Sequence, residues 1–433
     1  MYDFIGDLYP ICRSITGNGL RETLRRIGQR IPLKVAEVPS GTQVFDWTVP
    51  REWNIRDAYV KNAQGIRVID FKESNLHVVN YSVPVKATMT LAELSPHLHS
   101  LPEHPDWIPY RTSYYKEQWG FCVAQRQRDQ MAEGTYEICI DSSLEDGSMS
   151  YGEYVIKGQE ENEVLLSCHV CHPSLCNDNL SGIALATFLA GRMSSLNLRY
   201  TYRFLFLPGT IGSIAWLSHN ERRANLIKHG LVIACIGDPG KLTYKKSRNP
   251  NAAINRAVLH VLQHSGSAYD VLEFSPYGYD ERQYCSPGFN LPVGSLTRSP
   301  NNAYPEYHTS ADDLNLVRPD CLADSLAIYL RVLDILDSNR TFLNTNPKCE
   351  PQLGKRGLYR SEGGAIDSKS RELATLWVLN QADGSHSLLD IAERACMPFS
   401  EIRSAAANLA RHGLLTEMAG SDHPAANYNG SIV

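Results

Sequence analysis

The sequence predicts an α/β protein with a mostly parallel sheet covered by helices on both faces, an inserted all-β module and a C-terminal winged helix. Three observations support this prediction. Short apolar runs alternate with helical stretches through the middle of the 433-residue chain, as in βαβ units. Residues 42–132 instead show short β-branched and aromatic runs bounded by turn residues. Residues 370–418 show three helical patterns and then a strand pattern.

Length and composition narrow the class of protein. A chain of 433 residues predicts two or three domains, and 43% hydrophobic with 21% charged residues is typical of globular proteins. The net charge of −5 indicates no general affinity for nucleic acid or anionic membranes. No apolar run approaches the ~20 residues that span a bilayer. The N-terminus lacks the pattern of a signal peptide, and eleven irregularly spaced cysteines favour reduced thiols and a cytoplasmic protein.

The first third of the chain contains the predicted insertion. Residues 3–30 look helical, with Gly17 and Gly19 interrupting the pattern. The strand pattern at residues 136–140 is interpreted as a return to the α/β domain. We therefore expect an α/β domain at residues 1–41 and 133–343 and a β module at residues 42–132. Strands of this module are predicted at residues 44–49, 67–71, 78–83, 107–110 and 119–123.

A candidate metal site begins in residues 163–182, EVLLSCHVCHPSLCNDNLSG. An apolar run predicts a buried strand, which is followed by a polar loop with His169, His172 and Asp178 and then by a helix. Open α/β sheets bind ligands beyond the carboxyl ends of their strands, and zinc prefers imidazole and carboxylate ligands. The alternative interpretation is that these are hydrogen-bonded histidines beside an ordinary Asn-Asp-Asn turn.

Two later strands predict the other half of this site. The apolar run at residues 231–236 leads to Asp238, and the run at residues 291–296 precedes His308. If these strands are parallel neighbours, their ends meet at one edge of the sheet. The candidate metal ligands are therefore His169 or His172, Asp178, Asp238 and His308.

The C-terminal part is predicted to be a separate unit. Residues 314–337 form one long closing helix, and a Pro-rich and polar linker covers residues 344–364. We expect the linker and the winged helix to occupy residues 344–433, with Ser387 as a helix N-cap. The predicted recognition helix at residues 399–411 is nearly neutral, whereas DNA binding needs a basic stripe. A protein contact or dimerisation is the favoured role.

These motifs resemble a known family. NDNLSG is similar to the motif that carries the metal-bridging aspartate of the co-catalytic zinc aminopeptidases, which falls on Asp178. Asp238 matches a later strand-end aspartate of that family, and YHTSAD matches its last motif, with His308. The whole chain more closely resembles bacterial aminopeptidase-like proteins, often associated with polysaccharide biosynthesis, that combine a β module with a winged helix. CHPSLCNDNLSG, PGTIGS, DERQYCSPGFNLPVGS and PEYHTSADDL are similar to that group's signatures.

The chain departs from the classical enzymes at one motif. Those enzymes carry a Glu-Glu pair, a general base and a metal ligand, shortly before Gly-Ser. Residues 207–213 here read LPGTIGS, without a carboxylate. One metal position therefore lacks a ligand, and the sequence is compatible with either one or two zinc ions. Glu281 is the candidate general base; the alternative is that Glu281 forms a salt bridge with Arg282 or another basic residue.

Two further alternatives concern the first motif. The classical family places its histidine ligand at His169, whereas the closer group favours His172. Cys168, Cys171 and Cys176 are candidate thiolates for a structural zinc site, which the lack of a second CxxC disfavours.

The resulting prediction is a zinc-exopeptidase-like fold and a zinc-dependent aminopeptidase or exopeptidase that uses metal-activated water. One alternative is a catalytically inert protein that binds metal or ligand. The other is a winged-helix regulator linked to polysaccharide biosynthesis. The expected substrate is a small peptide or amide, with no nucleic acid or membrane partner. The winged helix is expected to serve a homo-oligomer or protein contact. Loop tyrosines are predicted either to line a substrate pocket or to pack: Tyr277, Tyr279, Tyr304 and Tyr307.

Overall fold

An eight-stranded mixed sheet organises the protein, whose computed structural model describes residues 1–358 and 366–418. In chain order its strands are β1 (Lys34–Pro39), β2 (Ser148–Ile156), β3 (Glu163–His169), β4 (Thr201–Leu207), β5 (Ile227–Ile233), β6 (Leu242–Lys245), β7 (Tyr269–Leu272) and β8 (Val293–Thr297). The spatial order is β1-β2-β4-β3-β5-β8-β6-β7. The four central strands, β4, β3, β5 and β8, are parallel. Antiparallel pairs join β1 to β2, β2 to β4, and β6 to β8. The predicted fold class is confirmed.

Helices cover both faces of this sheet, so the central strands are buried. Every residue of β3 and β4 is buried, as expected for parallel strands between two helical layers. The predicted helical region at residues 3–30 forms two helices, because Gly17 adopts φ +91° and a Cβ there would lie 2.0 Å from the carbonyl oxygen of Trp53. The helices are Tyr2–Leu8, Asn18–Gly28, Gly182–Met193, Ile211–His219, Glu221–Ala224, Ala253–Gln263, Glu281–Tyr284 and the closing helix Pro319–Ser338.

The inserted module contains a four-stranded antiparallel sheet. Its strand order is Arg67–Asp70, Glu52–Lys61, Thr135–Glu145 and Val85–Thr90. The interpretation of residues 136–140 as a strand of the α/β domain is therefore wrong: this strand pairs on both sides with module strands. We propose that the module extends to Glu145.

Short elements complete the module. Two small sheets pair Gln43–Val44 with Trp47–Thr48, and Leu98–His99 with Phe121–Cys122; the helices are Leu91–Leu94 and Gln125–Asp129. The strand predicted at residues 78–83 does not form, because Tyr81 has φ +75°, which interrupts an extended chain. The strand predicted at residues 107–110 is also absent as a regular element and makes one isolated bridge.

The C-terminal unit is a winged helix, as predicted. Thr341–Asn344 pairs with Asp383–Ser387 and Leu415–Glu417 in a three-stranded sheet. Ser387 caps its helix through a reciprocal capping box with Asp390. The helices are Ile366–Gln381, Leu388–Ala395 and Phe399–Arg411. Parts of the predicted linker and tail, residues 359–365 and 419–433, lie outside the described residues.

The winged helix packs against the α/β domain through its third helix, Phe399–Arg411. The backbone N–H of Phe399 donates to Nε2 of His260, at 3.0 Å. Arg403 forms an ion pair with Asp334 on the closing helix. The helix that would enter a DNA groove in a DNA-binding winged helix is therefore engaged in an intramolecular contact.

Two sequence expectations concern the environment of the chain. Among the described residues, no helix is both long and apolar enough to cross a membrane. All eleven cysteines lie in the described part and are free thiols. No disulfide framework is formed within the described residues, and the reduced state of these thiols stays a prediction.

We expect the contact between the domains to weaken at acid pH through His260. Burial, with contributions from His264 and Arg256, lowers the pKa of His260 to about 4. Nε2 accepts a hydrogen bond only when the imidazole is neutral, so stability should fall as the pH drops from about 6.5 toward 4. Urea unfolding of the wild type and of His260→Leu at pH 7 and pH 4.5 measures this effect. Between these values the wild type should lose on the order of 2 kcal/mol more than the variant; equal losses would contradict the prediction.

Candidate metal centre

A buried cluster lies where β3 ends. His169 is the last residue of β3, and the loop that follows carries His172 and Asp178. One ligand atom from each of these residues lies within 4.8 Å of the others. The three side chains are at most 7% exposed. The fold thus brings together both histidines between which the sequence left a choice.

His308 completes a ring of three imidazoles around one carboxylate. His169 Nε2 lies 2.8 Å from Oδ1 of Asp178, and His308 Nε2 lies 3.1 Å from Oδ2. His172 Nδ1 lies 3.7 Å from Oδ2 and has no hydrogen-bond partner within the described residues. A buried nitrogen without a partner is costly, and a metal ion would satisfy it. The donor set therefore fits a metal ion, with the imidazole and carboxylate ligands that zinc prefers.

The electrostatics of the cluster favour the protonation states that bind metals. Burial opposes ionisation of Asp178, but His172, His169 and His308 outweigh it and hold the pKa of this carboxyl well below its usual range. Burial, opposed by Asp178, holds the pKa of His172 well below its usual range. A neutral imidazole and an ionised carboxylate are the forms that coordinate a metal.

Asp312 holds the backbone of the motif in place. Its Oδ2 accepts the backbone N–H of Asp178 at 2.9 Å, and its Oδ1 accepts that of Asn177. Burial raises the pKa of Asp312 to about 8, although these two N–H groups act in the opposite direction. Asn179 ties the loop to the sheet, since its Nδ2 donates to the carbonyl oxygens of His169 and Ile233. These bonds orient Asp178 toward the histidines.

Asp238, a predicted metal ligand, accepts hydrogen bonds from protein donors at both of its oxygens. Its Oδ2 accepts from Nδ2 of Asn177 at 2.9 Å, and its Oδ1 accepts from Oγ of Ser299 at 2.6 Å. Backbone N–H groups of Ser299 and Gly240 also donate to this carboxylate. Both oxygens of Asp238 are therefore occupied by protein donors, and its hydrogen bond with Asn177 stabilises the loop of the NDNLSG motif.

Glu281, the predicted general base, forms a salt bridge with a basic residue, as its alternative interpretation expected. Its partner is Lys245, with Nζ 2.8 Å from Oε1, and not Arg282. The backbone N–H of Tyr279 also donates to this carboxylate. These contacts give no support for Glu281 as the base.

The neighbouring Asp280 is a functional candidate that sequence reasoning missed. It is fully buried, and its Oδ1 accepts from Oγ of Ser213 at 2.8 Å. Its Oδ2 is buried without a hydrogen-bond partner in the described part of the chain. Burial raises its pKa to about 7, while the charge of His169 acts in the opposite direction. The only sequence signal for a functional role of Asp280 was its position next to Glu281 in the acidic DERQ segment.

A tyrosine ring leaves no room for a side chain at Gly209 of the PGTIGS segment. A Cβ on Gly209 would lie 2.1 Å from the ring of Tyr279. This ring packs on His169 with centroids 4.1 Å apart. The missing glutamate pair is thus accompanied by an aromatic side chain against the cluster.

The inserted module contributes a second tyrosine to the cluster through a segment that we call the strap, residues 108–110. The backbone N–H of Tyr110 donates to the carbonyl oxygen of His308 at 2.7 Å, and Ile108 exchanges two hydrogen bonds with Ser310. The Tyr110 ring meets those of His172 and His308 edge to face, with centroids 5.2 and 5.0 Å apart. His308 has φ +57°, a strained conformation that the strap stabilises. No sequence signal links the strap to residues two hundred positions later.

A buried arginine supports the cluster from the opposite side. Arg13 donates through Nε to the carbonyl oxygen of His172 at 2.6 Å and through Nη2 to that of Pro173 at 3.1 Å. Burial lowers the pKa of its guanidinium to about 10, so it remains charged at neutral pH. Sequence reasoning missed this role, because Arg13 lies in a loop within the predicted helical region.

Comparisons with known proteins agree with this fold. The chain is 57% identical over 415 residues to a Clostridium acetobutylicum protein named "Putative polysaccharide biosynthesis protein with aminopeptidase-like domain", covering 96% of this chain and 95% of that protein. A crystal structure of a "putative peptidase" from the same organism matches with 55% identity and a TM-score of 0.92, over 96% of each chain.

More distant structures share the fold alone. A peptidase M28 precursor from Shewanella amazonensis matches with 13% identity and a TM-score of 0.56, over 77% of this chain and 92% of its own. A zinc aminopeptidase from Bacillus subtilis matches with 10% identity and the same TM-score, over 77% and 93% of the two chains.

Fold and site together define an aminopeptidase-like α/β domain joined to a winged helix, which confirms the resemblance seen in the sequence. A family model described as "Domain of unknown function (DUF4910)" matches residues 2–339, and a model described as "winged helix-turn-helix" matches residues 340–417. The chain belongs to the DUF4910 family.

We expect the aromatic ring of Tyr110 to be needed for metal affinity. Tyr110→Ala removes the ring that packs on two histidines and should weaken zinc binding by about 10- to 100-fold, the usual effect of losing an outer-shell partner. Tyr110→Phe should bind like the wild type, because the lost hydroxyl forms its hydrogen bond, within the described residues, with the hydroxyl of Tyr114 and not with a histidine. Competition with a chromophoric chelator measures both affinities.

The control for this prediction is Tyr115→Ala. Tyr115 belongs to the same module but is 49% exposed and packs on Trp47. Its replacement should leave zinc affinity unchanged. Wild-type affinity in Tyr110→Ala would show that the strap does not position the histidines.

Proposed function

We propose that this protein is a zinc-dependent hydrolase of the aminopeptidase or exopeptidase type, which cleaves a peptide or amide bond. The observation that carries this proposal is the ring of three imidazoles around the buried carboxylate of Asp178. The aminopeptidase-like fold supports it, and so does the position of the cluster beyond the carboxyl end of β3.

The geometry favours a single zinc ion. His172 Nδ1 and His308 Nε2 both face Oδ2 of Asp178, which gives the three protein ligands of a catalytic zinc site. Oδ1 faces His169, and the glutamate that would complete a second position is missing. When bound, zinc supplies Lewis acidity to a carbonyl oxygen and lowers the pKa of water.

Asp280 is the proposed proton acceptor. Its unpartnered Oδ2 can take a proton from the attacking water and return it to the leaving amine. A pKa of about 7 suits this exchange at neutral pH. Ser213 fixes the orientation of the carboxyl through its bond to Oδ1.

The substrate context is also part of the proposal. The name of the 57% identical relative refers to polysaccharide biosynthesis, and we extend this context to the present chain. The bond that is cleaved would then be an amide or peptide bond of a precursor in such a pathway. Hydrolysis of aminoacyl 4-nitroanilides by the zinc-loaded protein is the first test of the reaction type.

The second candidate function is binding of metal and ligand without hydrolysis, which the missing glutamate pair favours. Zinc-loaded protein that binds amino-acid hydroxamates but hydrolyses no aminoacyl substrate would support it. The regulator hypothesis receives less support, because the third helix of the winged helix contacts His260 and Asp334 within the chain.

Metal content tests the proposed ligand set. We expect about one zinc per chain in the wild type, measured by elemental analysis after zinc loading and desalting. Asp178→Ala, His172→Ala and His308→Ala should each lose it, because each removes one of the three ligands. His169→Ala should keep it, since His169 faces the other oxygen of Asp178.

A histidine of the module provides the control. His99→Ala removes a residue paired with Arg111 and should leave the zinc content unchanged. Two zinc ions in the wild type, with one lost in His169→Ala, would replace the single-ion proposal with a dinuclear site. Absence of zinc from the wild type would overturn the hydrolase proposal.

Kinetics test the role of Asp280. Asp280→Asn should lower kcat by about 10²- to 10⁴-fold, the usual contribution of a general base, while zinc content stays at the wild-type value. Glu281→Gln should lower kcat much less than Asp280→Asn does, because Glu281 is bound to Lys245 and is not the proposed proton acceptor. The reverse pattern, with Glu281→Gln inactive and Asp280→Asn active, would restore Glu281 as the base.

A further inference from the structure

One face of the sheet beside the metal centre carries polar side chains. Thr243 and Lys245 lie on this face of β6, and Ser295 and Thr297 lie on the same face of β8. Lys245 is opposite Ser295, and Thr243 is opposite Thr297. Sheets covered on both faces normally carry apolar residues there. The other face of β6 follows that rule, since Tyr244 is fully buried. The polar face therefore indicates a use other than core packing.

These side chains line a cavity of about 180 Å³. Residues 275–279 and 300–301 cover it instead of a helix. Tyr279 belongs both to the wall of this cavity and to the metal centre, where its ring packs on His169 at 4.1 Å. A group seated in the cavity would thus lie next to the bond that the metal centre acts on.

The cavity contains an ion pair that is nearly buried. Nζ of Lys245 donates to Oε1 of Glu281 at 2.8 Å and to the carbonyl oxygen of Tyr277 at 2.6 Å; the two charged side chains are 12% and 3% exposed. An ammonium group has three donors, so one remains for a ligand. The hydroxyl of Ser295 is a further hydrogen-bonding group in the wall of this cavity.

The charge balance selects the kind of group that fits. Lys245 and Glu281 neutralise each other, so a charged ligand group would leave a net charge in a buried site, which is costly. An aliphatic group would offer no acceptor to the remaining donor of Lys245 and no hydrogen bond to Ser295, which is also unfavourable. An uncharged group with hydrogen-bonding atoms satisfies both conditions.

We infer that this cavity is a specificity pocket for an uncharged, hydrogen-bonding side chain, a carboxamide or a hydroxyl, on the substrate residue next to the scissile bond. The inference rests on the proposed function. It assigns Glu281 and Lys245 to substrate selection rather than to the chemical step. Sites built to hydrogen-bond a substrate group discriminate strongly against analogues that lack it.

Binding of amino-acid hydroxamates to the zinc-loaded protein tests this pocket, by calorimetry with L-glutamine, L-leucine and L-glutamate hydroxamates. We expect the glutamine compound to bind at least about 10-fold more tightly than the other two. In Glu281→Gln the pocket gains the uncompensated charge of Lys245, so the preference should move at least about 10-fold toward the glutamate compound. The wild-type order alone tests the pocket if this variant fails to fold.

The matched control is Lys246→Gln. Lys246 is the next residue along the chain and pairs with Glu273 outside the cavity, so its replacement should leave the order of binding unchanged. Leucine hydroxamate binding as tightly as the glutamine compound would overturn the pocket and leave the proposed hydrolase intact. Failure of all three compounds to bind protein that holds zinc would overturn the proposed function and this inference with it.

Discussion

The carboxylate of Asp178 is the group on which the rest of the site depends. Three imidazoles converge on its two oxygens, and burial alone would make an ionised carboxylate unfavourable there. The histidines reverse that balance and keep the pKa of Asp178 low. The surrounding structure, from Asp312 to the strap, holds these four side chains together in one cluster.

The inserted module and the N-terminal segment are part of this centre. The strap places Tyr110 against two of the histidines, and Arg13 binds the loop of His172 from the other side. Neither element belongs to the strands and loops that form the core of the aminopeptidase-like sheet. The histidines are thus positioned by three separate parts of the chain, and the module has a physical role at the site.

The winged helix has a comparable structural role. Its third helix contacts the α/β domain through Phe399 and Arg403, where a DNA-binding relative would present side chains to bases. The contact combines a hydrogen bond to the neutral imidazole of His260 with an ion pair between Arg403 and the buried carboxylate of Asp334. Such a contact fits a module that stabilises the α/β domain.

The sequence by itself determined the fold class and predicted most of the residues of the candidate metal centre. Apolar strands, the NDNLSG motif and the strand-end residues depend on local patterning, and parallel strands bring their ends together, so the sequence already pointed to the cluster of His169, His172, Asp178 and His308. It failed where a role depends on contacts between distant segments. Asp238 and Glu281 are acidic residues at the expected places, but their partners, Asn177 and Lys245, were not readable from spacing.

Only the tertiary structure decided the remaining features. The strand Thr135–Glu145 joined the module because its hydrogen-bonding edges match two module strands, which no local pattern distinguishes from a strand of the main sheet. Tyr110, Arg13 and Asp280 gain their roles from packing and burial: a ring against two imidazoles, a guanidinium on a loop carbonyl, and a carboxyl removed from water. Local sequence encodes strand and helix, whereas burial and long-range contacts set the chemistry of a side chain.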